Sequence, residues 1–218
     1  MSEINLLSTH PKTKRDYGKR MIEKTPEIIR IAKQFGKEFF DGDRKYGYGG
    51  YKYDGRWKSV AKRIRDFYHL KDNAAILDIG CGKGFMLYDF KEIMPNCTFA
   101  GIDVSEYAIE HAMDSVKPFL KKASAEKLPY PDKSFDLVIS INSIHNLPLE
   151  QLKTALIEIE RVSRGNSYIT IDAWRNDQEK DNLFKWVLTA ETMMHVDDWK
   201  KLFKEVGYTG DYWWFIAD

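Results

Sequence analysis

The chain has 218 residues, of which 43% are hydrophobic and 31% charged, and its formal net charge is +1. A chain of this length can build one substantial core, with or without a small appendage. The balance of acids and bases argues against a nucleic-acid or membrane partner, and the sequence contains neither an apolar leader nor a stretch long enough to cross a membrane. The two cysteines, Cys81 and Cys97, lack metal-type spacing. We therefore expect a cytoplasmic protein without a bound metal.

The first part of the chain is polar and irregular as far as residue 24, and its basic cluster KTKRDYGKR (Lys12 to Arg20) indicates a solvated tail. Thr25-Pro26-Glu27 then predicts a helix start, with a capping hydroxyl, a proline in the first turn and an acid at the positive end of the helix dipole. Apolar residues recur at helical spacing up to Phe39.

An aromatic and glycine-rich stretch, KYGYGGYKYDGRW (Lys45 to Trp57), separates this helix from a second amphipathic one that ends near Tyr68. The two helices and the stretch between them precede any strand-like run. We predict that residues 1–70 form an N-terminal tail and a helical cap or lid.

Strand-like and helical runs alternate from residue 74 onwards. The predicted strands are 75–79, 98–103, 119–123, 135–141 and 167–173, with helices at 84–94, 105–116 and 148–161. This alternation is typical of parallel strands joined by right-handed crossovers. The predicted fold class is α/β, a doubly wound and mostly parallel sheet with helices on both faces, plus the N-terminal helical cap. This domain is assigned to residues 71–218, with an insertion near 174–194, a final helix and a last strand in YTGDYWWFIAD.

Three glycines on alternate positions follow the first predicted strand in ILDIGCGKG (Ile76 to Gly84). The spacing is one residue tighter than the G-x-G-x-x-G of dinucleotide sites, which argues against a dehydrogenase. Asp78 stands just before the glycines, where a carboxylate would repel a pyrophosphate but attract an ammonium group. Asp103, in FAGIDVS, ends the second strand, where a carboxylate can accept hydrogen bonds from both ribose hydroxyls.

Four stretches, ILDIGCGKG, GIDVS, ASAEKLPYPDKSFDLVIS and IHNL, stand together in a familiar order and spacing. Over residues 74–173 the sequence resembles the class I, Rossmann-like S-adenosylmethionine-dependent methyltransferases. The resemblance implies S-adenosyl-L-methionine as cofactor and S-adenosyl-L-homocysteine as product. The cofactor-binding residues that it implies are Asp78, Gly80, Cys81, Gly82, Asp103, Val104, Ala125, Glu126 and Ser140.

Within this implied site, the residues from Asp78 to Gly82 line the methionine moiety and Asp103 holds the ribose. Val104 packs on one face of the adenine, Ala125 and Glu126 meet its edge, and Ser140 faces the methyl donor. Ser124 departs from the pattern, because many members of the family have an aspartate there that contacts the adenine amino group. A serine oxygen accepts that hydrogen bond more weakly.

The acceptor side is suggested by polar residues that follow the fourth and fifth predicted strands. His145, in SINSIHNLP, is the candidate catalytic residue, which would take a proton from an attacking hydroxyl or ammonium group; the alternative is that it only fixes its loop. Asn142, Asn146 and Asp172 are candidates for orienting a polar acceptor. No dense cluster of carboxylates or histidines indicates a metal.

The aromatic and glycine-rich stretch supplies a candidate lid or substrate wall through Tyr46, Tyr48 and Tyr51. Glycines allow hinge-like change, and aromatic faces favour a sulfonium cation. Alternatively, the tyrosines only pack the cap on the sheet. Lys52 and Arg56 could bind an anionic group of the acceptor or remain solvated. The residues expected on the opposite wall are Trp174, Trp186, His195 and Trp199.

The function predicted is transfer of a methyl group from S-adenosylmethionine to an oxygen or nitrogen of a small polar molecule. Methylation of RNA or protein, other chemistry with the same cofactor, and nucleoside binding without catalysis stay open as alternatives. The expected partner is a small-molecule acceptor, with no nucleic acid and no membrane. Two tryptophans in DYWWFIAD indicate burial, either at the sheet edge or against a second subunit in a homodimer.

Overall fold

The computed structural model describes residues 1–11 and 15–218 and contains a seven-stranded sheet. The strands are β1 (Ala75–Ile79), β2 (Thr98–Asp103), β3 (Leu120–Lys122), β4 (Leu137–Ile141), β5 (Ser167–Trp174), β6 (Met194–His195) and β7 (Asp211–Phe215). The α-helices are α1 (Tyr17–Glu23), α2 (Pro26–Ala32), α3 (Lys37–Asp41), α4 (Lys58–Phe67), α5 (Phe85–Ile93), α6 (Glu106–Glu110), α7 (Leu149–Val162), α8 (Asp177–Trp186) and α9 (Val196–Val206).

The strand order is β3-β2-β1-β4-β5, and β5 then pairs with both β6 and β7. All of these pairings are parallel. The order reverses between β1 and β4, so the loops after these two strands diverge and leave a crevice at their carboxyl ends. The predicted doubly wound fold class is confirmed, and the crevice is where such a sheet binds its ligand.

Both faces of the sheet are covered, which explains the nearly continuous apolar strands. Along β1, Ile76 packs in one buried cluster with Phe90 of α5. Its neighbour Leu77 points to the other face and joins a cluster with Leu156 of α7 and Trp199 of α9. All five side chains are fully buried. Apolar clusters therefore support the strands that form the crevice from both faces of the sheet.

The cap differs from the sequence prediction, because the first predicted helix is divided into α2 and α3. Phe35 lies between them with φ +48°, and Gly36 is the N-cap of α3. The break is stabilised from another part of the chain, since the Phe35 carbonyl accepts a hydrogen bond of 2.5 Å from the Ser105 hydroxyl. Helical periodicity continues through the break, so a tertiary contact overrides the local pattern.

The prediction of a solvated tail is wrong for the end of the basic cluster. Residues 17–23 form α1, capped by Asp16, and Arg20 is only 8% exposed. Further upstream, Leu6 is buried and Glu3 forms a parallel bridge with Tyr212 of β7. Lys12, Thr13 and Lys14, which begin the basic cluster, lie outside the described residues. The N-terminal segment thus packs against the sheet instead of projecting into solvent.

The C-terminal stretch forms the last predicted strand, β7, and the predicted insertion near 174–194 contains α8. Trp214 is 3% exposed and packs 6.2 Å from the ring of Phe203, and Trp213 is partly buried in the opposite cluster. Their burial is therefore satisfied within the chain. It gives no support for the homodimer that was inferred from these tryptophans.

Candidate cofactor and acceptor site

A pocket of about 330 Å³ opens at the carboxyl ends of β1, β2 and β4. The glycine loop after β1 forms its floor together with the end of β2. The loop after β4 and the residues that end α8 form one wall, and the cap forms the other. A volume of this size lies within the range of small-molecule sites.

Two residues of the glycine loop, Gly80 and Gly82, have left-handed backbone conformations that favour glycine. Gly80 has φ +76°, and a Cβ added there would overlap the Ser143 side chain. Gly82 has φ +54°, and its amide donates a 2.7 Å hydrogen bond to Oδ2 of Asp103. Since both residues line the pocket, a side chain on either one would take space from a ligand that approaches the backbone.

Asp103 ends β2, and its carboxylate is held in one orientation. Oδ2 accepts from the Gly82 amide and Oδ1 accepts from the Ser105 amide at 2.8 Å. Burial raises the pKa of this carboxyl group, against the opposing effect of these hydrogen bonds. Each oxygen keeps a second lone pair, so the group can accept one hydrogen bond from each of two adjacent hydroxyls. This arrangement suits a ribose.

Asp78 is a buried carboxylate in β1 that is 3% exposed. Within residues 1–11 and 15–218, no donor forms a hydrogen bond with it and no cation forms an ion pair with it. Burial, with a further contribution from the charge of Asp103, raises its pKa to about 8. A buried carboxylate without a cationic partner is costly, and a ligand ammonium would offset that cost. The donor set therefore fits the amino-acid end and the ribose of S-adenosylmethionine.

The cap covers the glycine loop with aromatic rings. The Tyr51 ring stacks 4.7 Å from the ring of Phe85 and lies 4.3 Å from that of Tyr48. Its nearest carbon is 3.4 Å from the position that a Cβ would take on Gly82. The pocket is thus narrowed by tyrosines directly above the floor.

An ion pair between the glycine motif and the end of α3 fixes the cap in this position. Lys83 Nζ lies 2.6 Å from Oδ2 of Asp41, at the end of α3, and donates to the Tyr51 carbonyl at 3.0 Å. The Tyr107 hydroxyl donates to the same carboxylate at 2.7 Å. Although burial opposes it, hydrogen bonds from Lys83 and Tyr107 lower the pKa of Asp41. Lys83 is therefore occupied by the cap and is unavailable to a ligand.

His145 and Asp172 form a buried pair at the other end of the pocket. The Asp172 amide donates to His145 Nδ1 at 3.2 Å, and His145 Nε2 lies 3.6 Å from Asp172 Oδ2. Burial lowers the pKa of His145, against the opposing charge of Asp172. Burial raises the pKa of Asp172, against the opposing charges of His145 and Arg15. Because Nδ1 accepts a hydrogen bond, the neutral ring carries its proton on Nε2.

Two asparagines add polar groups near this pair. Asn142 has φ +50°, and its Oδ1 accepts a 2.8 Å hydrogen bond from the Thr170 hydroxyl. Asparagine tolerates this left-handed conformation better than most residues. Asn146 presents a buried Oδ1 that has no hydrogen-bond partner within the described part of the chain. Both side chains line the pocket.

The structure brings most of the predicted site residues to this one pocket. Those that line it are Gly80, Gly82, Asp103, Val104, Ala125, Tyr48, Tyr51, Asn142, His145, Asn146 and Asp172. Those that do not line it are Tyr46, Asp78, Cys81, Glu126 and Ser140. Of the predicted opposite wall, Trp186 lines the pocket, whereas Trp174, His195 and Trp199 do not. Ser124 lines it as well, at the place assigned to the adenine.

Two arginines in the pocket wall were not predicted. Arg20 lies in α1 and Arg44 follows α3, and both line the pocket beside Trp186. Their guanidinium carbons lie 5.3 Å and 5.5 Å from the centroid of the Trp186 ring. The sequence signal for Arg20 was the basic cluster, which was interpreted as a solvated tail. By contrast, Arg56 forms a 2.5 Å ion pair with Asp54 outside the pocket.

Residues 1–11 and 15–218 offer neither a metal-binding cluster nor a membrane-spanning helix. That part of the chain contains no group of three or more His, Cys, Asp or Glu side chains placed to hold a metal ion. None of its helices combines the length and the apolar character needed to cross a membrane.

Comparison with known proteins points to one family. Residues 76–166 match a family described as a methyltransferase domain. An uncharacterized protein of Haemophilus influenzae is 30% identical over 145 residues, which cover 61% of this chain and 57% of that protein. A sterol 4-C-methyltransferase of Caenorhabditis elegans is 28% identical over 171 residues, which cover 74% of this chain and 51% of that protein. The chain thus spans about half the length of these curated relatives.

A solved structure with a TM-score of 0.60 is that of phosphoethanolamine N-methyltransferase 2 of Haemonchus contortus, in complex with phosphomonomethylethanolamine and S-adenosylhomocysteine. The identity is 16%, and the likeness covers 81% of this chain and 44% of that one. At this identity the likeness shows a shared fold. The matched residues 76–166 contain the glycine loop, Asp103 and His145. Residues 76–166 therefore match a methyltransferase domain, and the chain shares its fold with a solved methyltransferase structure.

Proposed function

We propose that this chain transfers the methyl group of S-adenosylmethionine to an oxygen or nitrogen of a small polar molecule. The observation that carries the proposal is one continuous pocket, with a glycine loop and the Asp103 carboxylate at one end and polar groups with open hydrogen-bonding capacity at the other. The first end suits the donor, and the second end suits an acceptor that approaches it.

At the donor end, each group has a separate task in the proposal. Asp78 does not itself line the pocket, and the proposal assigns it to the ammonium group of the cofactor because it lies two residues before the pocket-lining Gly80. The glycine loop admits the methionine portion, and Asp103 accepts hydrogen bonds from the ribose. Val104, which is 49% exposed, offers an apolar surface to the adenine. When bound, the cofactor supplies a methyl group that is already activated on a sulfonium. The protein's task is therefore alignment of the acceptor and exclusion of water.

The cap provides both. Tyr48 and Tyr51 close the pocket above the glycine loop, and the ion pair between Lys83 and Asp41 holds that closure. Aromatic faces at this position also stabilise a nearby sulfonium. A pocket of about 330 Å³ that the cap covers leaves little space for a large acceptor, which favours a small molecule over RNA or a folded protein.

A hydroxyl acceptor must lose its proton as it attacks the methyl group, and an ammonium acceptor must lose a proton before it can attack as an amine. His145 was the sequence candidate for this role, but its Nδ1 accepts from a backbone amide and its Nε2 carries the proton. The proposal therefore assigns proton acceptance to Asp172, whose raised pKa suits a base. His145 becomes the group that positions it, and Asn142 and Asn146 orient the acceptor.

Calorimetric titration with S-adenosylmethionine, S-adenosylhomocysteine and NAD tests the donor half of this proposal. We expect micromolar binding of the two sulfur nucleosides and none of NAD. Asp103→Asn should abolish binding, and Asp198→Asn, at an exposed aspartate paired with Lys201, should not change it. A correctly folded protein that binds neither sulfur nucleoside would contradict the proposal.

Methyl-labelled cofactor offered with panels of small alcohols, amines, RNA and protein then tests the acceptor half. Label in a small alcohol or amine is the expected result. Label only in RNA or protein would show that the acceptor is a macromolecule and not a small molecule. Binding without transfer to any panel, or conversion of the cofactor without transfer, would favour a nucleoside-binding subunit or other chemistry with this cofactor.

A further inference from the structure

We infer that the methyl acceptor carries an oxyanion, a carboxylate or a phosphate, and that Arg20 and Arg44 bind it at the cap end of the pocket. The identity of the acceptor rests on the proposed function. The anion site itself does not, because it can be measured with inorganic anions.

The first argument is the burial of an uncompensated cation. Arg20 is 8% exposed, and its hydrogen bonds all go to carbonyl groups: those of Trp186 at 3.1 Å, Lys45 at 3.0 Å and Arg44 at 3.4 Å. No carboxylate of residues 1–11 or 15–218 forms an ion pair with it. Its neighbour Glu23 pairs with Lys19 instead, at 3.6 Å. Burying a guanidinium without an anion is costly, and a bound oxyanion would offset that cost.

The second argument is the presence of another cation beside it. The Arg44 and Arg20 guanidinium groups both lie within 5.5 Å of the Trp186 ring centroid. Burial and the charge of Arg44 lower the pKa of Arg20, against the opposing charge of Glu23. Arg44 donates from Nη1 to the Gly47 carbonyl and forms no ion pair with the described residues. Two guanidinium groups beside one tryptophan ring in the wall of the pocket offer the positive charge and the planar donors that carboxylates and phosphates require.

The third argument is position. Arg20, Arg44 and Trp186 line the same cavity as His145 and Asp172. An oxyanion held by the arginines would therefore belong to the molecule that reaches the proposed base. Two other cations near the pocket already have anionic partners: Arg15 lies 3.6 Å from the carboxylate of Asp218, and Lys83 is bound to Asp41.

The cofactor's own carboxylate is the competing ligand, and the experiment separates the two. The protein is titrated calorimetrically with inorganic phosphate, acetate and uncharged acetamide at constant ionic strength, with and without saturating S-adenosylhomocysteine. The variants are Arg44→Gln and Arg20→Gln, with Arg56→Gln as the matched control because that arginine is paired with Asp54 outside the pocket. The S-adenosylhomocysteine affinity of each variant is measured as well, and it also reports folding.

We expect phosphate or acetate, but not acetamide, to bind the wild type with S-adenosylhomocysteine present. Each pocket variant should weaken the anion at least tenfold and leave S-adenosylhomocysteine binding within twofold, and Arg56→Gln should behave like the wild type. The tighter of the two anions identifies the acceptor's group. Arg20 also donates hydrogen bonds to three backbone carbonyl groups. If Arg20→Gln does not fold for that reason, the anion affinity of Arg44→Gln tests the inference.

Three results would overturn the inference. The wild type could bind neither anion, the anions could bind equally well to wild type and variants, or the variants could lose S-adenosylhomocysteine, which would assign the arginines to the cofactor. A wild type that binds anions through Arg44 but never binds S-adenosylhomocysteine would instead refute the proposed function and leave the anion site standing.

Discussion

Replacing Asp78 by asparagine should stabilise the ligand-free protein at neutral pH while it weakens cofactor binding. Burial, with the charge of Asp103, raises the pKa of Asp78 from 3.8 to about 8. Between these two pH values the folded carboxyl group retains a proton that the unfolded chain has released. The free energy of unfolding therefore falls as pH rises from about 4 to about 8 and levels off above that value.

The size of the effect follows from the pKa shift. Each pH unit in this window costs about 1.4 kcal/mol, so the cost is about 2 kcal/mol at pH 5 and about 4 kcal/mol at pH 7. Asparagine is nearly the same size and does not ionise, so the variant avoids this cost. Its advantage in the free energy of unfolding over the wild type should grow across the window by about the same amounts.

The assay is urea denaturation of ligand-free wild type and Asp78→Asn at pH 5, 6 and 7, with Asp198→Asn as an exposed control. Titration with S-adenosylhomocysteine at pH 7 accompanies it, and we expect at least a tenfold loss of affinity because the ammonium loses its partner. An advantage that is equal at all three pH values, or absent at pH 7, would refute the assignment of Asp78 as a buried, uncompensated carboxylate.

Three other outcomes are expected. Since an ammonium ligand favours ionised Asp78, binding of S-adenosylhomocysteine at pH 6.5 should release up to one proton. Calorimetry in buffers of different ionisation enthalpy would detect this proton, and a binding enthalpy that does not depend on the buffer would contradict the prediction. Gly80→Ala should abolish S-adenosylhomocysteine binding through strain and overlap, whereas Gly207→Ala, with a similar φ of +71° but open space, should only lose about 1 kcal/mol in stability; equal effects would remove the steric argument. Asp172→Asn should lower kcat at least about 100-fold without changing cofactor affinity, and His145→Gln should shift the pH profile of kcat; turnover that is unchanged in Asp172→Asn would exclude it as the base.

The sheet was predictable because its signals are local. Apolar runs of strand length, separated by helical periodicity, identified β1, β2, β4 and β5, and the glycines with Asp103 located the crevice. The alternation that gives these signals is a property of neighbouring residues in the chain. It needs no knowledge of distant contacts.

The cap and the acceptor wall were less predictable because distant contacts decide them. Arg20 is buried by a hydrogen bond to the carbonyl of Trp186, 166 residues away, and no local pattern distinguishes it from a solvated arginine. The break at Phe35 depends likewise on Ser105. The proposal of Asp172 in place of His145 as the base rests on the hydrogen bond from the Asp172 amide to His145 Nδ1, a contact that is visible only in three dimensions.

The walls of the pocket come from two unrelated parts of the chain. The glycine loop and Asp103 lie inside residues 76–166, whereas Arg20, Arg44 and Trp186 lie outside them. The two arginines of the proposed acceptor site can therefore change without a change in the donor site, whereas Asn142, His145 and Asn146 lie with the donor site inside residues 76–166. Substitutions in the flanking segments could retune acceptor choice without disturbing methyl-donor binding, so two chains with the same glycine loop need not share a substrate.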